Sequence, residues 1–197
     1  MPELIENGSM NEEDFYGDIS PTAIALFDGH LFDILDPDTW IFNVDVIAQA
    51  LSNICRFGGH CFFYPVAEHS VRVSEILEAW GEPYRVQYLG LHHDDIEAYL
   101  GDCPSPHKRV MSIDGEPFKS LEDSIEYAYF ATLGLLTDTF EEDWARVKDA
   151  DLAAYILERN ERPHIGKGLT PAQAKDEYLA RHRSLAFMFI DDVPRIS

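Results

Sequence analysis

The sequence predicts an all-α bundle with a small β-hairpin near its start. Two patterns carry that reading. Apolar residues recur at intervals of three and four from about Asn43 onward, the signature of amphipathic helices. Before that point, short apolar runs lie on either side of Asp28-Gly29, a hairpin turn signal. With 197 residues and 46% hydrophobic content, the chain can bury a sizeable core. Residues 1–20 read as a flexible acidic arm and residues 21–197 as a single domain, without repeats or low-complexity tracts.

The hairpin falls within 22–36. Segment 44–57 repeats Val44, Ile47, Leu51 and Ile54, and Gly58-Gly59 ends it. Segment 65–80 opens at Pro65, which suits a first helical turn, and repeats Val66, His69, Val73, Ile76 and Trp80 on one face. Segment 84–100 repeats Val86, Leu89, His93, Ile96 and Leu100 before Gly101. Two prolines and an Asp114-Gly115 turn mark 104–119 as a short helix followed by a loop. Segments 120–136 and 140–160 are again helical, the second with Trp144, Val147, Asp151, Ala154 and Tyr155 on one face. A last helix spans about 171–189, and its apolar residues suit either an interface between copies of the chain or its own core.

No run of about 18 apolar residues exists, so no membrane span is expected. The polar, acidic N-terminus lacks the basic and apolar regions of a secretory signal, which predicts a cytoplasmic protein. Three cysteines without a C-x-x-C pair predict free thiols. The net charge of −21 argues against polymeric nucleic acid as partner, because such binding rests on neutralising phosphates. An anionic substrate would then need a local positive site, such as a metal ion with a few Arg or Lys residues.

Three predicted helices place a polar residue where the apolar stripe calls for leucine: His69, His93 and Asp151. A buried carboxylate needs a cation or several donors. With Asp94 beside His93, the set offers two imidazoles and two carboxylates, a donor mixture suited to Zn, Mn, Co or Fe rather than Ca.

A lone early His in VAEHS, a His-Asp pair in LHHDD and a late Asp in VKDAD form a pattern that resembles the HD superfamily of phosphohydrolases. The string HHDDIEAYLGDCPSPHKR is similar to bacterial 5′-deoxynucleotidases and phage-type dATP triphosphohydrolases. LSNICRFGGHCFFYPVAEHSVRV resembles the short phage and prophage members. The likeness covers roughly residues 23–160. It implies an HD-domain helical bundle, its HD core at about 44–160, with His69, His93, Asp94 and Asp151 as metal ligands. Asp151 is preferred to Asp149 because it shares the Val147/Ala154 face, and His93 to His92 because it directly precedes Asp94.

The resemblance makes Glu97 and Asp102 catalytic. Glu97 stands one helical turn beyond the ligand pair, where a carboxylate can hold or deprotonate a water. Arg56, with Phe57 and Gly59 in the glycine-containing loop that follows it, and Lys108 are candidates for binding substrate. One ring of Phe62, Phe63 or Tyr64 is a candidate for stacking on a base. The cofactor expected is a divalent transition metal (Zn, Mn or Co), with Mg arriving on the substrate phosphates. The expected substrate is a small deoxynucleotide, either a triphosphate such as dATP or a monophosphate, and a homo-oligomer is expected. The alternatives are a phosphodiesterase on cyclic or oligomeric nucleotides and a non-catalytic nucleotide-binding scaffold.

Overall fold

The structure, a computed structural model, describes residues 19–113 and 115–192, of which 190–192 by backbone alone. The predicted acidic arm falls almost wholly outside the described residues, as do Asp114 of the predicted turn and the side chain of Ile190. The architecture is all-α with small hairpins, as the sequence predicts. The chain divides into two compact units, 1–41 and 42–197.

In the first unit, β1 (Ala23–Ala25) and β2 (Leu31–Asp33) pair antiparallel in the register Ala23 to Asp33 and Ala25 to Leu31. Asp28 and Gly29 form the turn, where Gly29 adopts a φ of 88° that favours glycine. The Asp33 carboxylate accepts from the Thr22 hydroxyl at 2.6 Å and from the Leu35 amide at 2.9 Å, which closes the unit's far end.

The second unit begins with α1 (Val44–Leu51), capped by Asn43, whose side chain accepts from the Asp45 amide at 2.9 Å. The helix predicted to reach residue 57 stops at Leu51. Residues 54–56 spend their backbone groups on strand-like pairing instead. The Arg56 amide donates to the Tyr64 carbonyl and the Val66 amide to the Ile54 carbonyl, each at 3.0 Å. A backbone engaged sideways in this way cannot continue the i to i−4 ladder. Arg56 is therefore extended, and Phe57–Gly59 forms a 3₁₀ turn. Then comes α2 (Val66–Ala79), with Pro65 just outside its first turn.

A second departure lies in the segment predicted as one helix over 84–100. The structure has α3 (Tyr84–Leu91), a turn over 92–96 and a short α4 (Glu97–Leu100). At the break the bonds tighten to three residues: Glu97 amide to Asp94 carbonyl and Ala98 amide to Asp95 carbonyl, each 3.0 Å. Glu97 therefore opens a new helix rather than riding on the helix that precedes His93. After α5 (Ser105–Lys108), the predicted loop holds a second small hairpin, β3 (Ser112–Ile113) with β4 (Glu116–Pro117). The remaining elements are α6 (Phe118–Thr132), α7 (Phe140–Glu161) and α8 (Pro171–Asp192).

α2 is the centre of the unit, with α1, α3, α7 and α8 all against it. Because neighbours surround it, residues on most of its sides are buried, Glu68, His69, Ser70 and Ser74 among them. Its predicted stripe fails only at the end, where Trp80 is 51% exposed. α7 buries Asp143, Val147, Ala150, Ala154 and Glu158. Tyr155, predicted on that face, is 39% exposed. α8 is held by Arg181, which donates to the Ser74 hydroxyl at 3.0 Å, the Ser74 carbonyl at 3.2 Å and the Gln87 side chain at 3.0 Å. Among the described residues, no helix is long and apolar enough to cross a membrane.

α2 and α3 approach closely at Gly90, where an added Cβ would run into the Cδ1 of fully buried Leu77. Gly90→Ala gains about 1 kcal/mol of helix propensity but meets an overpacking cost of about 1–3 kcal/mol. The expected net loss is about 1 kcal/mol, read as a fall in Tm of about 2–4 °C by calorimetry.

Candidate metal centre

His69 comes from the middle of α2, His93 and Asp94 from the turn after α3, and Asp151 from α7. Their donor atoms converge. The Nε2 of His69, the Nε2 of His93 and a carboxylate oxygen of Asp94 lie within 4.8 Å of one another. Asp151 Oδ1 lies 3.2 Å from the His69 Nε2 and 3.8 Å from the His93 Nε2. Asp149, the neighbour weighed against Asp151, is exposed on the other side of α7.

The tautomers of both imidazoles are set from behind. His69 Nδ1 donates to Glu158 Oε1 at 2.7 Å, and His93 Nδ1 donates to the Gly90 carbonyl at 2.8 Å. Each Nε2 is left facing the carboxylates, able to present its lone pair to a bound ion, and both are buried. Two buried ring nitrogens facing two carboxylate oxygens favour a positive charge between them, whether a proton or a metal ion. The set fits a divalent transition metal, and partners behind each ring are usual in such centres.

Charge coupling within the cluster is strong. Burial disfavours ionised Asp94, but His93 and His69 hold it below the usual carboxylate range. Asp151 is likewise held low against burial by His69 and His93. The His93 imidazole, which burial alone would push down, is pushed up to about 10 by Asp94 and Asp151.

Around these four residues stands a second circle of ionisable groups. Arg56 is buried, with Nη1 3.4 Å from Asp94 and Nε 3.4 Å from Glu158. Burial opposes its charge, and the carboxylates of Glu158 and Asp94 more than restore it. The loop it opens is unusual: Phe57, Gly58 and Gly59 have φ of 58°, 57° and 80°. Left-handed backbone at a phenylalanine is costly and persists where the surroundings demand it. Here the Phe57 ring lies 4.7 Å under the Arg162 guanidinium and beside Tyr155.

Glu97 is buried and its Oε2 has no hydrogen-bond partner. Burial first, then the charges of Asp94 and Asp102, push its carboxyl well above the usual range. Asp102 is half-buried and also raised, chiefly by burial. Lys108 Nζ sits 4.0 Å from Glu97 and is bound tightly to Glu122. Of the three aromatics weighed for base stacking, Tyr64 is fully buried and donates to Glu158 at 2.8 Å. Phe62 lies against His164. Cys55, Cys61 and Cys103 are all free thiols.

Glu158 went unnoticed in the sequence, yet it obeys the rule that exposed Asp151. It lies seven residues after Asp151, two turns along α7, and unlike the partly exposed Asp151 it is fully buried, a charged residue where leucine belongs. Asp95, wholly buried in the turn after α3, was also passed over. Its signal was weaker, because the tight turn that buries it leaves no mark in the periodicity.

No protein-family model matches the chain. It is 36% identical over 115 residues to the uncharacterized protein YfdR of Escherichia coli K12, covering 57% of this chain and 58% of that one. It is 31% identical over 117 residues to the uncharacterized protein RCAP_rcc00048 of Rhodobacter capsulatus, covering 56% and 57%. It is 29% identical over 96 residues to the 5′-deoxynucleotidase PBPRA2627 of Photobacterium profundum, covering 43% and 48%. The chain thus spans about half the length of the curated relatives it matches.

Raised above its ordinary 6.5, the His93 pKa contributes stability below that pH, and the contribution is lost as pH rises through about 10. With a chelator present, thermal stability should therefore decline between pH 7 and 10, and Asp94→Asn should flatten the decline. Added metal should reverse its sign, because the ion displaces the proton. Melting curves across that range, with and without metal, provide the check.

Proposed function

We propose that the chain is a metal-dependent phosphohydrolase acting on deoxynucleotides, with His69, His93, Asp94 and Asp151 as the ligands of one divalent ion. The observation that carries the reading is the pair of buried Nε2 atoms, each fixed from behind and aimed at two carboxylates. The distant likeness to a named 5′-deoxynucleotidase supplies the substrate class. A bound Zn, Mn or Co ion would supply Lewis acidity and a water of lowered pKa.

The chain's own residues do the rest. Glu97, buried with Oε2 lacking a hydrogen-bond partner, is assigned to hold the attacking water, and since burial and its acidic neighbours favour its protonated form, to pass a proton to the leaving oxygen. Asp102, half-buried with its carboxyl also raised, is assigned to share that proton traffic. Arg56 exchanges part of its hold on Asp94 for the phosphate oxygens, and Lys108 adds charge at the rim. Phe57, lifted by its left-handed backbone, and Gly59, where the chain can come close, shape the wall for the sugar and base.

Charge favours a monophosphate over a triphosphate. Arg56 and Lys108 both already face carboxylates, which leaves little positive charge to spare for a long polyphosphate. Hydrolysis at the 5′ position would release a deoxynucleoside and inorganic phosphate. Triphosphate release from a substrate such as dATP is the second reading, supported by the likeness of 92–109 to phage-type enzymes.

The test is a panel of deoxynucleoside mono- and triphosphates incubated with Mn, Co, Zn or Mg, with products separated by chromatography. Asp94→Ala should lose both metal and turnover. Glu97→Ala should keep its metal while kcat falls by about 10²–10⁴-fold. Protein shown to hold metal but releasing no nucleoside from any substrate would refute the reading.

A further inference from the structure

We infer that Tyr129 and Tyr178 are positioning residues for the metal centre: their hydroxyls clamp Asp95 and thereby hold the turn that presents His93 and Asp94. The inference rests on the metal-centre reading above and adds residues from α6 and α8, two helices that contribute no ligand.

The residues on either side of the ligand pair face away from it into a second buried cluster. Asp95 is wholly buried, and its carboxylate accepts from His92 Nδ1 at 2.6 Å, from the Tyr129 hydroxyl at 2.5 Å and from the Tyr178 hydroxyl at 2.6 Å. Tyr129 comes from α6 and Tyr178 from α8, and both rings are buried. A carboxylate out of reach of water needs such donors to stay ionised.

The network continues beyond Asp95, because His92 Nε2 lies within hydrogen-bond reach of His182 Nδ1 on α8, at 3.0 Å.

The geometry turns this cluster into a clamp. His92 directly precedes His93, and Asp95 directly follows Asp94. The bonds of the turn join residues three apart rather than four, so the ordinary helical ladder does not fix the two ligands between them. Their backbone is fixed instead by side chains pinned on both flanks to helices α6 and α8. Outer partners of this kind set metal affinity through ligand orientation.

A purely structural network would affect stability and leave the metal indifferent, and the experiment separates the two. Tyr178→Phe and Tyr129→Phe each remove one oxygen and leave the ring in place, so two independent variants test the same point. Co(II) is titrated into the chelator-stripped full chain, recording its visible d–d spectrum, while melting curves are taken on the metal-free protein. Each variant should bind cobalt about ten-fold more weakly, with an altered spectrum. Ile125→Val, a core change on α6 outside the network, should lower Tm without either effect. A tyrosine variant that melts earlier but binds cobalt with wild-type affinity and spectrum overturns the clamp. If the wild-type chain takes up no cobalt, the metal-centre reading falls and the clamp with it.

Discussion

Everything at the candidate centre depends on one buried contact, the 2.7 Å bond between His69 Nδ1 and Glu158. Neither side chain touches water, and taking such groups out of water is expensive unless each finds a complete set of partners. Glu158 Oε1 accepts from His69 and from the Tyr64 hydroxyl, while Oε2 makes no hydrogen bond and faces the Arg56 charge at 3.4 Å. Burial works against its charge, but these neighbours hold its carboxyl down at about 2. The same carboxylate therefore ties together α2, α7 and the 54–64 segment, the three stretches whose mutual placement decides where Arg56 and the imidazole lone pairs point. A bundle seeking only stability would gain more from leucine at 69 and 158. That the charged pair stands there makes sense if something between the helices needs an oriented imidazole.

The interior is layered by polarity. On one side of the 92–96 turn lie the histidines and carboxylates of the candidate centre. On the other lie Asp95 and its tyrosines, and the turn forms the partition between them. Four consecutive polar residues in a continuous helix would splay around its axis and strand some of them against apolar neighbours. The tightened turn resolves this by sending the inner pair, His93 and Asp94, to one polar layer and the outer pair, His92 and Asp95, to the other. Strain at Phe57 belongs to the same economy, since that residue is held in place by guanidinium groups rather than by favourable backbone.

The bundle was legible because its signals are local and repetitive. The stripe of α1, the Pro65 start of α2 and the Asp28-Gly29 turn each announce themselves within a few residues. What stayed hidden was set by partners distant in sequence. Helix α1 stops at Leu51 because Tyr64 and Val66 claim the backbone of residues 54–56. Periodicity alone extends it to Ile54. The hairpin after α5 is two residues to a strand, too short for an alternation to register. For the candidate centre, the criterion of a polar residue on an apolar stripe brought forward His69, His93 and Asp151, which the structure brings together. The criterion stopped one step short of Glu158. It had nothing to say about Asp95, Tyr129 and Tyr178, because a tyrosine or an aspartate near a turn carries no mark of the layer it will occupy.

Asp151 and Glu158 share one rod. Seven residues of α-helix separate them by about 10 Å along the axis, and both reach His69 on α2. One approaches the lone-pair side of His69 and the other grips the opposite edge of that ring. Sliding or rolling α7 would disturb both grips together, so the imidazole has no independent freedom relative to that helix. In mechanical terms the ring is held in a vice with both jaws cut from a single piece, and any loosening of the centre must come as a movement of the whole helix.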